Sequence, residues 1–188
     1  KSMASTLKIN NIDTASGTTI TIPTGKQVII TDEGGLRVPG TVIQVVENAS
    51  TTQFSQGGTT FTDTNLTCTI TPKYSNSKLF VQATGNTYSA HYNDNPLHYI
   101  IRTVSGTATS IGATDYMTYN SGSSAGGIGG AYVQSVMDTA QSTAAHEYKI
   151  QIRSDNNQGT VYFNVRDSGG GIGDEAQRST IMVMEIAQ

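Results

Sequence analysis

Apolar and polar residues alternate one by one through the stretch from Tyr148 to Val165. Tyr148, Ile150 and Ile152 alternate with Lys149, Gln151 and Arg153; after Asp155-Asn156-Asn157-Gln158-Gly159, Val161, Phe163 and Val165 alternate with Tyr162, Asn164 and Arg166. A period of two puts one set of side chains on each face of a strand, and the Asp/Asn/Gly cluster supplies a turn. The pattern predicts a long antiparallel hairpin over 145–166, apolar on one face and wet on the other. Such a face needs a second sheet to cover it. Runs at 41–46, 66–70, 78–83, 97–104, 107–111 and 132–137 supply further strands. Residues 131–145 also carry helical spacing (Val133, Val136, Met137, Ala140, Ala144), but Asp138–Thr143 reads as a turn, which favours a strand. The closing run Ser179–Ile186 is apolar on both faces apart from Glu185. A sandwich offers one inner face only, so another subunit is expected to cover the second.

The first forty residues read differently. Gly17, Gly25 and Gly34 punctuate the β-branched runs Thr18–Ile22 and Lys26–Thr31, a strand-turn repeat too thin to bury its own Ile and Val side chains. Symmetric association with neighbouring chains is the economical solution. Val38-Pro39-Gly40 marks the boundary between an arm, residues 1–40, and a domain, residues 41–188. The expected fold is all-β: a jelly-roll-like antiparallel β-sandwich preceded by a short glycine-punctuated β-strand arm.

Composition supports strands and removes several function classes. Charged residues make up 13% of the chain, about half the usual ~25%, and polarity comes instead from threonine, serine, asparagine and glycine. Threonine suits a pleated, half-exposed surface. A net charge of −3 and a pI near 5.5 argue against a nucleic-acid partner. Cys68 stands alone, which rules out an intrachain disulfide. No apolar run approaches the ~18 residues of a membrane-spanning helix, so no membrane insertion is expected.

Several segments, taken in order, resemble the tail fibre proteins of tailed phages of marine and cyanobacterial hosts. Ala4–Ile12 and Ile20–Gly25 are similar to their N-termini, and Val38–Val46 to the junction before their C-terminal domain. Ile70-Thr71-Pro72, Ser77–Val81, Glu147–Arg153, Gly159–Phe163 and Met184–Gln188 resemble landmarks of that domain, while residues 88–130 hold none. The resemblance implies a homotrimeric fibre located in the virion. Its arm would contact other tail proteins, and its β-sandwich tip would recognise a host-surface glycan.

Candidate chemistry is sparse. Gly122-Ser-Ser-Ala-Gly126 matches the Gly-x-Ser-x-Gly pattern, but inside a Ser/Gly-rich run it lacks the strand-turn-helix setting of a nucleophile elbow. Asp32-Glu33 and Asp174-Glu175 lie in glycine-rich turns, where nothing would raise one carboxyl pKa for acid catalysis. His91, His98 and His146 with one cysteine give no zinc spacing, although a threefold axis could gather His91 or His98 from each chain. Asp155-x-Asn157-x-Gly159 looks like half a calcium loop without its closing Glu, and reads as a turn. No enzyme, cofactor or metal is expected.

Ligand binding is the expectation that remains. Tyr88, His91, Tyr92, Asn93 and Asp94, with Tyr116, Tyr119 and Asn120, set aromatic rings beside amides and carboxylates, as sugar recognition requires; tyrosines covering sheet edges are the alternative. If strands alternate in direction, loops 89–96, 112–130 and 154–159 share one end of the sandwich, which adds Asp155 and Asn156 to the candidate site. Loops 72–77, 138–145 and 167–178 would share the other end. Should the arm enter at the first end, the site moves to the opposite loops or between subunits. The expected role is non-covalent attachment to a host glycan. The alternatives are a purely structural virion part (capsid decoration or connector) and a polysaccharide depolymerase.

Overall fold

The computed structural model describes residues 21–31, 35, 37–91, 93–114, 127–165 and 177–188. The chain divides into two compact units, Lys1–Asp32 and Glu33–Gln188. In the first, residues 21–31 are exposed throughout and form a turn at Thr24–Gly25, closed by Lys26 N–H donating to the Pro23 carbonyl at 3.0 Å. The strand expected over Lys26–Thr31 is not formed. Its β-branched residues favour an extended backbone, but a strand also needs a ladder partner, and none is present among the described residues of this unit.

The second unit holds ten strands: β1 (Val42–Ser50), β2 (Phe54–Gln56), β3 (Thr62–Ile70), β4 (Lys78–Ser89), β5 (Pro96–Val104), β6 (Thr107–Thr114), β7 (Ile128–Thr139), β8 (His146–Ser154), β9 (Val161–Phe163) and β10 (Ser179–Ile186). No helix occurs among the described residues. All pairings are antiparallel. In the first sheet β7 lies along the whole of β4; β10 and β9 follow end to end on β4's other side; β1 flanks β10 and β2 flanks β9. The second sheet has the order β3-β8-β5-β6. The inner faces meet in one core. Leu66, Ile70, Ile100, Tyr148, Ile150 and Ile152 come from the second sheet, and Leu79, Val81, Tyr132, Phe163, Ile181 and Val183 from the first. Residues 131–139 are strand, not helix; Asp138 and Thr139, expected to open the turn, are the last two residues of β7 and pair with Leu79 and Lys78.

The predicted 145–166 hairpin is not formed. β8 sits between β3 and β5 in the second sheet, whereas β9 sits between β2 and β4 in the first. Both strands alternate because each faces the shared core from its own side. Periodicity reports half-burial and is silent about sheet membership.

A second difference follows from the register of β4. Ser89 to Thr87 face β9, and Thr84 to Lys78 face β10, so β9 and β10 run in one line and one direction. The chain leaves that line beside Asn86, where Asn164 N–H donates to the Asn86 carbonyl (2.9 Å), and Gln177 N–H returns to the Asn164 carbonyl (3.2 Å). Residues up to Val165 leave, and residues from Gln177 rejoin, at mid-sheet; the 167–178 loop expected at one end of the sandwich lies, up to residue 176, outside the described residues. Gly85 faces this junction. A Cβ there would collide with the Ser179 side chain and stand 2.9 Å from Tyr132 Cε1.

Candidate functional site

Two buried carboxylates tie down loops at opposite ends of β4. Asp94, fully buried, follows the end of β4 and accepts hydrogen bonds from the 154–159 segment. Its partners are Ser154 Oγ (2.8 and 2.7 Å) and the backbone amides of Asp155 (3.0 Å), Asn156 (3.1 Å), Gln158 (3.1 Å) and Gly159 (2.9 Å). Burial alone would push this carboxyl up. The Ser154 hydroxyl and the amides of Asn156, Gly159 and Gln158 outweigh burial and hold it below the usual carboxylate range. The segment that resembled half a calcium loop thus turns its N–H groups inward around an anion, the reverse of what a cation needs. Asn157 takes a left-handed φ of 57° to make this possible.

At the other end Glu185, also fully buried, accepts from Gln44 Nε2 (2.6 Å) and from the amides of Lys73 (2.9 Å) and Tyr74 (3.1 Å). Burial again acts upward on its pKa, and these donors, Gln44 first, bring it below normal. The lone charged residue of the closing strand is thereby accounted for. Arg37 lies over the Tyr74 ring at 4.4 Å and donates to the Gln188 carbonyl (3.2 Å), so residues 37–41 enter the sandwich at this end. The Asp94 loops occupy the far end.

The candidate residues are distributed as follows. Loops 89–95 and 154–159 do meet, through Asp94 and through Asn156 Nδ2 donating to the Asn93 carbonyl (3.0 Å). Gly127 packs against the Tyr88 ring and Ser89, which brings the end of the 112–130 stretch to the same place. Tyr88 itself is buried and Asp94 is enclosed, so neither presents an open binding surface. His91 is half-buried, with its Nδ1 accepting from Asn93 N–H (3.2 Å). Asn93, Asp155 and Asn156 lie toward solvent. Tyr92, Tyr116, Tyr119 and Asn120 lie outside the described residues, as does Gly122–Gly126. His98 and His146 are both buried. His98 stacks on Tyr132 (centroids 4.7 Å apart, planes 4° apart), and burial takes its pKa down to about 3.

Two surfaces appear that sequence reasoning did not assemble. On the outer face of the second sheet, Phe61 reaches across β8 to stack on Tyr99 (3.8 Å), and the Arg153 guanidinium lies 5.1 Å from the Phe61 ring. Arg153 also donates to the Ser154 carbonyl (2.9 Å), which links this stack to the Asp94 loops. Beside it Asp63 accepts from Lys149 (2.5 Å) and Gln151 (2.6 Å). The second surface is the outer face of the first sheet. Val45 pairs with Met184, Met184 with Phe80, and Phe80 with Met137, giving an unbroken apolar row across four strands. Val45 is 52% and Met137 53% exposed. Val42 and Ile186 stand on one side of the row, Met182 on the other. The signal was present: Val45-Val46, Phe80-Val81, Val136-Met137 and Val183-Met184 each break alternation with two adjacent apolar residues. The expectation above covers only the pair on β10.

No family model matches the chain, and no curated protein matches it. Among solved structures it is similar to a pentameric capsid protein isolated from metagenomic phage sequences, at 16% identity over 85% of this chain and 86% of that one, with a TM-score of 0.27. A second structure of a pentameric capsid protein from metagenomic phage sequences matches at 16% identity over 85% and 88%, with a TM-score of 0.25. Those two proteins are pentameric, where a homotrimer is expected above. The trimer is not carried further, nor are the histidines gathered on its threefold axis; His98 is sealed in the core.

Proposed function

We propose that this chain is a structural component of a phage virion, a building block whose copies associate through the outer face of the first sheet. The observation that carries the reading is the row Val45–Met184–Phe80–Met137, apolar and half-exposed in the single chain. Among the described residues Lys78 and Glu47, the latter paired with Arg178 at 3.6 Å, bring charge of both signs to its flanks, so another copy of the same face meets no like-charge block. Four strands ~4.8 Å apart and three rows of side chains ~6.8 Å apart give about 400 Å². That is about half of the ~800 Å² each partner contributes to a standard interface, so a further contact has to complete the assembly.

The wiring agrees with this role. With β1 and β2 counted as one strand, and β9 and β10 as one, the sheets read β1-β10-β4-β7 and β3-β8-β5-β6. We read this as a jelly roll, an architecture that recurs in viral capsid and lectin domains. The order of tail-fibre-like segments points to a phage in particular. On this reading the chain is not an enzyme; new reducing ends released from host polysaccharide by the purified protein would refute that.

The test is assembly mass by light scattering across a concentration series, for the parent and for Val45→Asp and Met137→Asp. Both side chains are half-exposed, so circular dichroism should not change, while burying a new carboxylate should weaken association at least a hundredfold. A parent that stays monomeric, or variants that assemble normally, would overturn the reading. A second reading, attachment to a host glycan, is favoured by the Arg153–Phe61–Tyr99 stack beside Asn93, Asp155 and Asn156 at the end far from residue 41. Loss of cell adsorption in Tyr99→Ala with assembly intact would select it.

A further inference from the structure

The two sides of the sandwich treat their open strand edges differently. Where β1 lies beside β3, side chains occupy the carbonyls at β3's outer edge: Asn48 Nδ2 donates to the Thr67 carbonyl (2.7 Å) and Gln44 Nε2 to the Thr71 carbonyl just beyond the strand (2.8 Å). On the other side, among the described residues, β6 is bonded to β5 alone and no side chain caps its outer backbone. Natural sheets guard such an edge with charge or proline. Thr107-Ala-Thr-Ser-Ile-Gly-Ala-Thr114 contains neither.

We propose that the free edge of β6 pairs antiparallel with β6 of a second copy, so that the second sheet continues from one chain into the next. The inference rests on the self-assembly reading and supplies the further contact which that reading needs. The backbone shows which groups are on offer. Ser105 and Gly106 take φ of 49° and 82°, the left-handed pair of a two-residue hairpin turn, and the flanking Val104 and Thr107 are cross-strand partners. Hydrogen bonding then alternates, so Thr107 and Thr109 bond to β5 while the N–H and C=O of Ala108 and Ser110 face outward. Beyond Ser110 the register slips by one residue at Ile111, which ends the flat segment. A second copy is the fitting occupant because two-fold pairing sets a strand against itself. Any charge on it would then face its like, and this strand carries none. Ala108 and Ser110 are exposed and small enough to lie against their own copies.

The test uses the full chain. Ala108→Pro deletes one outward N–H and no bond to β5, a place where an edge strand tolerates proline. Circular dichroism should be preserved and assembly weakened about tenfold. Ala108→Lys, which leaves the backbone untouched, should weaken assembly in a salt-dependent manner and serves if the proline variant fails to fold. Hydrogen exchange gives a direct readout: the amides of Ala108 and Ser110 should become protected as the parent is concentrated. If Val45→Asp disrupts assembly while both Ala108 variants assemble normally and these amides exchange at a concentration-independent rate, the edge contact is wrong and the face contact stands. If none of the variants alters assembly, both are wrong.

Discussion

Removing the Asp94 carboxylate should loosen the far end of the sandwich by an amount that can be estimated from its partners. The group accepts from Ser154 Oγ and from the amides of Asp155, Asn156, Gln158 and Gly159, and it is fully buried. A hydrogen bond to a charged group contributes about 1.5–3 kcal/mol net. Five donors share one carboxylate, so their contributions do not add, and some regain water once the loop opens. The appropriate scale is the ~3–5 kcal/mol lost when a buried charged group loses its partner, since here too the donors left behind are desolvated. For a chain of this size 1 kcal/mol moves Tm by about 2–4 °C, so Asp94→Ala should lower Tm by about 6–20 °C. Asp94→Asn should fall nearly as far despite its matching shape, because its amide turns a donor toward other donors. Thermal unfolding followed by circular dichroism measures the shift. Hydrogen exchange should show the loss concentrated in residues 154–159, with β5 and β8 still protected. Both variants melting within about 2 °C of the parent would refute the claim that this carboxylate holds the loops together.

Stability should depend on acid in two stages. His98 is taken down to about 3 by burial, so below its unfolded value of ~6.5 the unfolded chain binds a proton that the folded chain refuses. The cost is about 1.4 kcal/mol per pH unit, and denaturant titrations at several pH values should show stability falling from pH ~6.5 downward. Asp94 and Glu185, both held below normal, contribute stability above their unfolded values of ~3.9 and ~4.3 and lose it as pH falls through their folded values, which steepens the decline below pH ~4. His98→Phe should keep the stack on Tyr132, remove two buried ring nitrogens that have no protein partner, and raise stability at pH 7 by about 1 kcal/mol. It should also abolish the slope between pH ~6.5 and ~4.5; a retained slope would show that another group titrates there. Gly85→Ala should cost about 1–3 kcal/mol by pressing on Ser179 and Tyr132, read as a lower midpoint in urea; an unchanged midpoint would mean the junction can shift aside.

The alternation at Tyr148–Ile152 and Val161–Phe163, the strand over residues 132–137, the two-sided apolar character of β10 and the shared end of loops 89–96 and 154–159 were all legible in the chain. Each depends on backbone pleat or on the counting of strands, which are local properties. What the tertiary structure alone decided was partnership. Whether β8 and β9 form a hairpin or part into opposite sheets depends on the turn between them, and that turn is shaped by Asp94 from a distant loop. Asp94 looked like a ligand group because its type and neighbours suit a sugar, but its donors lie 60 to 65 residues away. Phe61 and Tyr99 stack across β8, which no short spacing reveals. A side chain's chemistry is written in the sequence, whereas its surroundings are set by which strands lie side by side, and long-range pairing has no local signature.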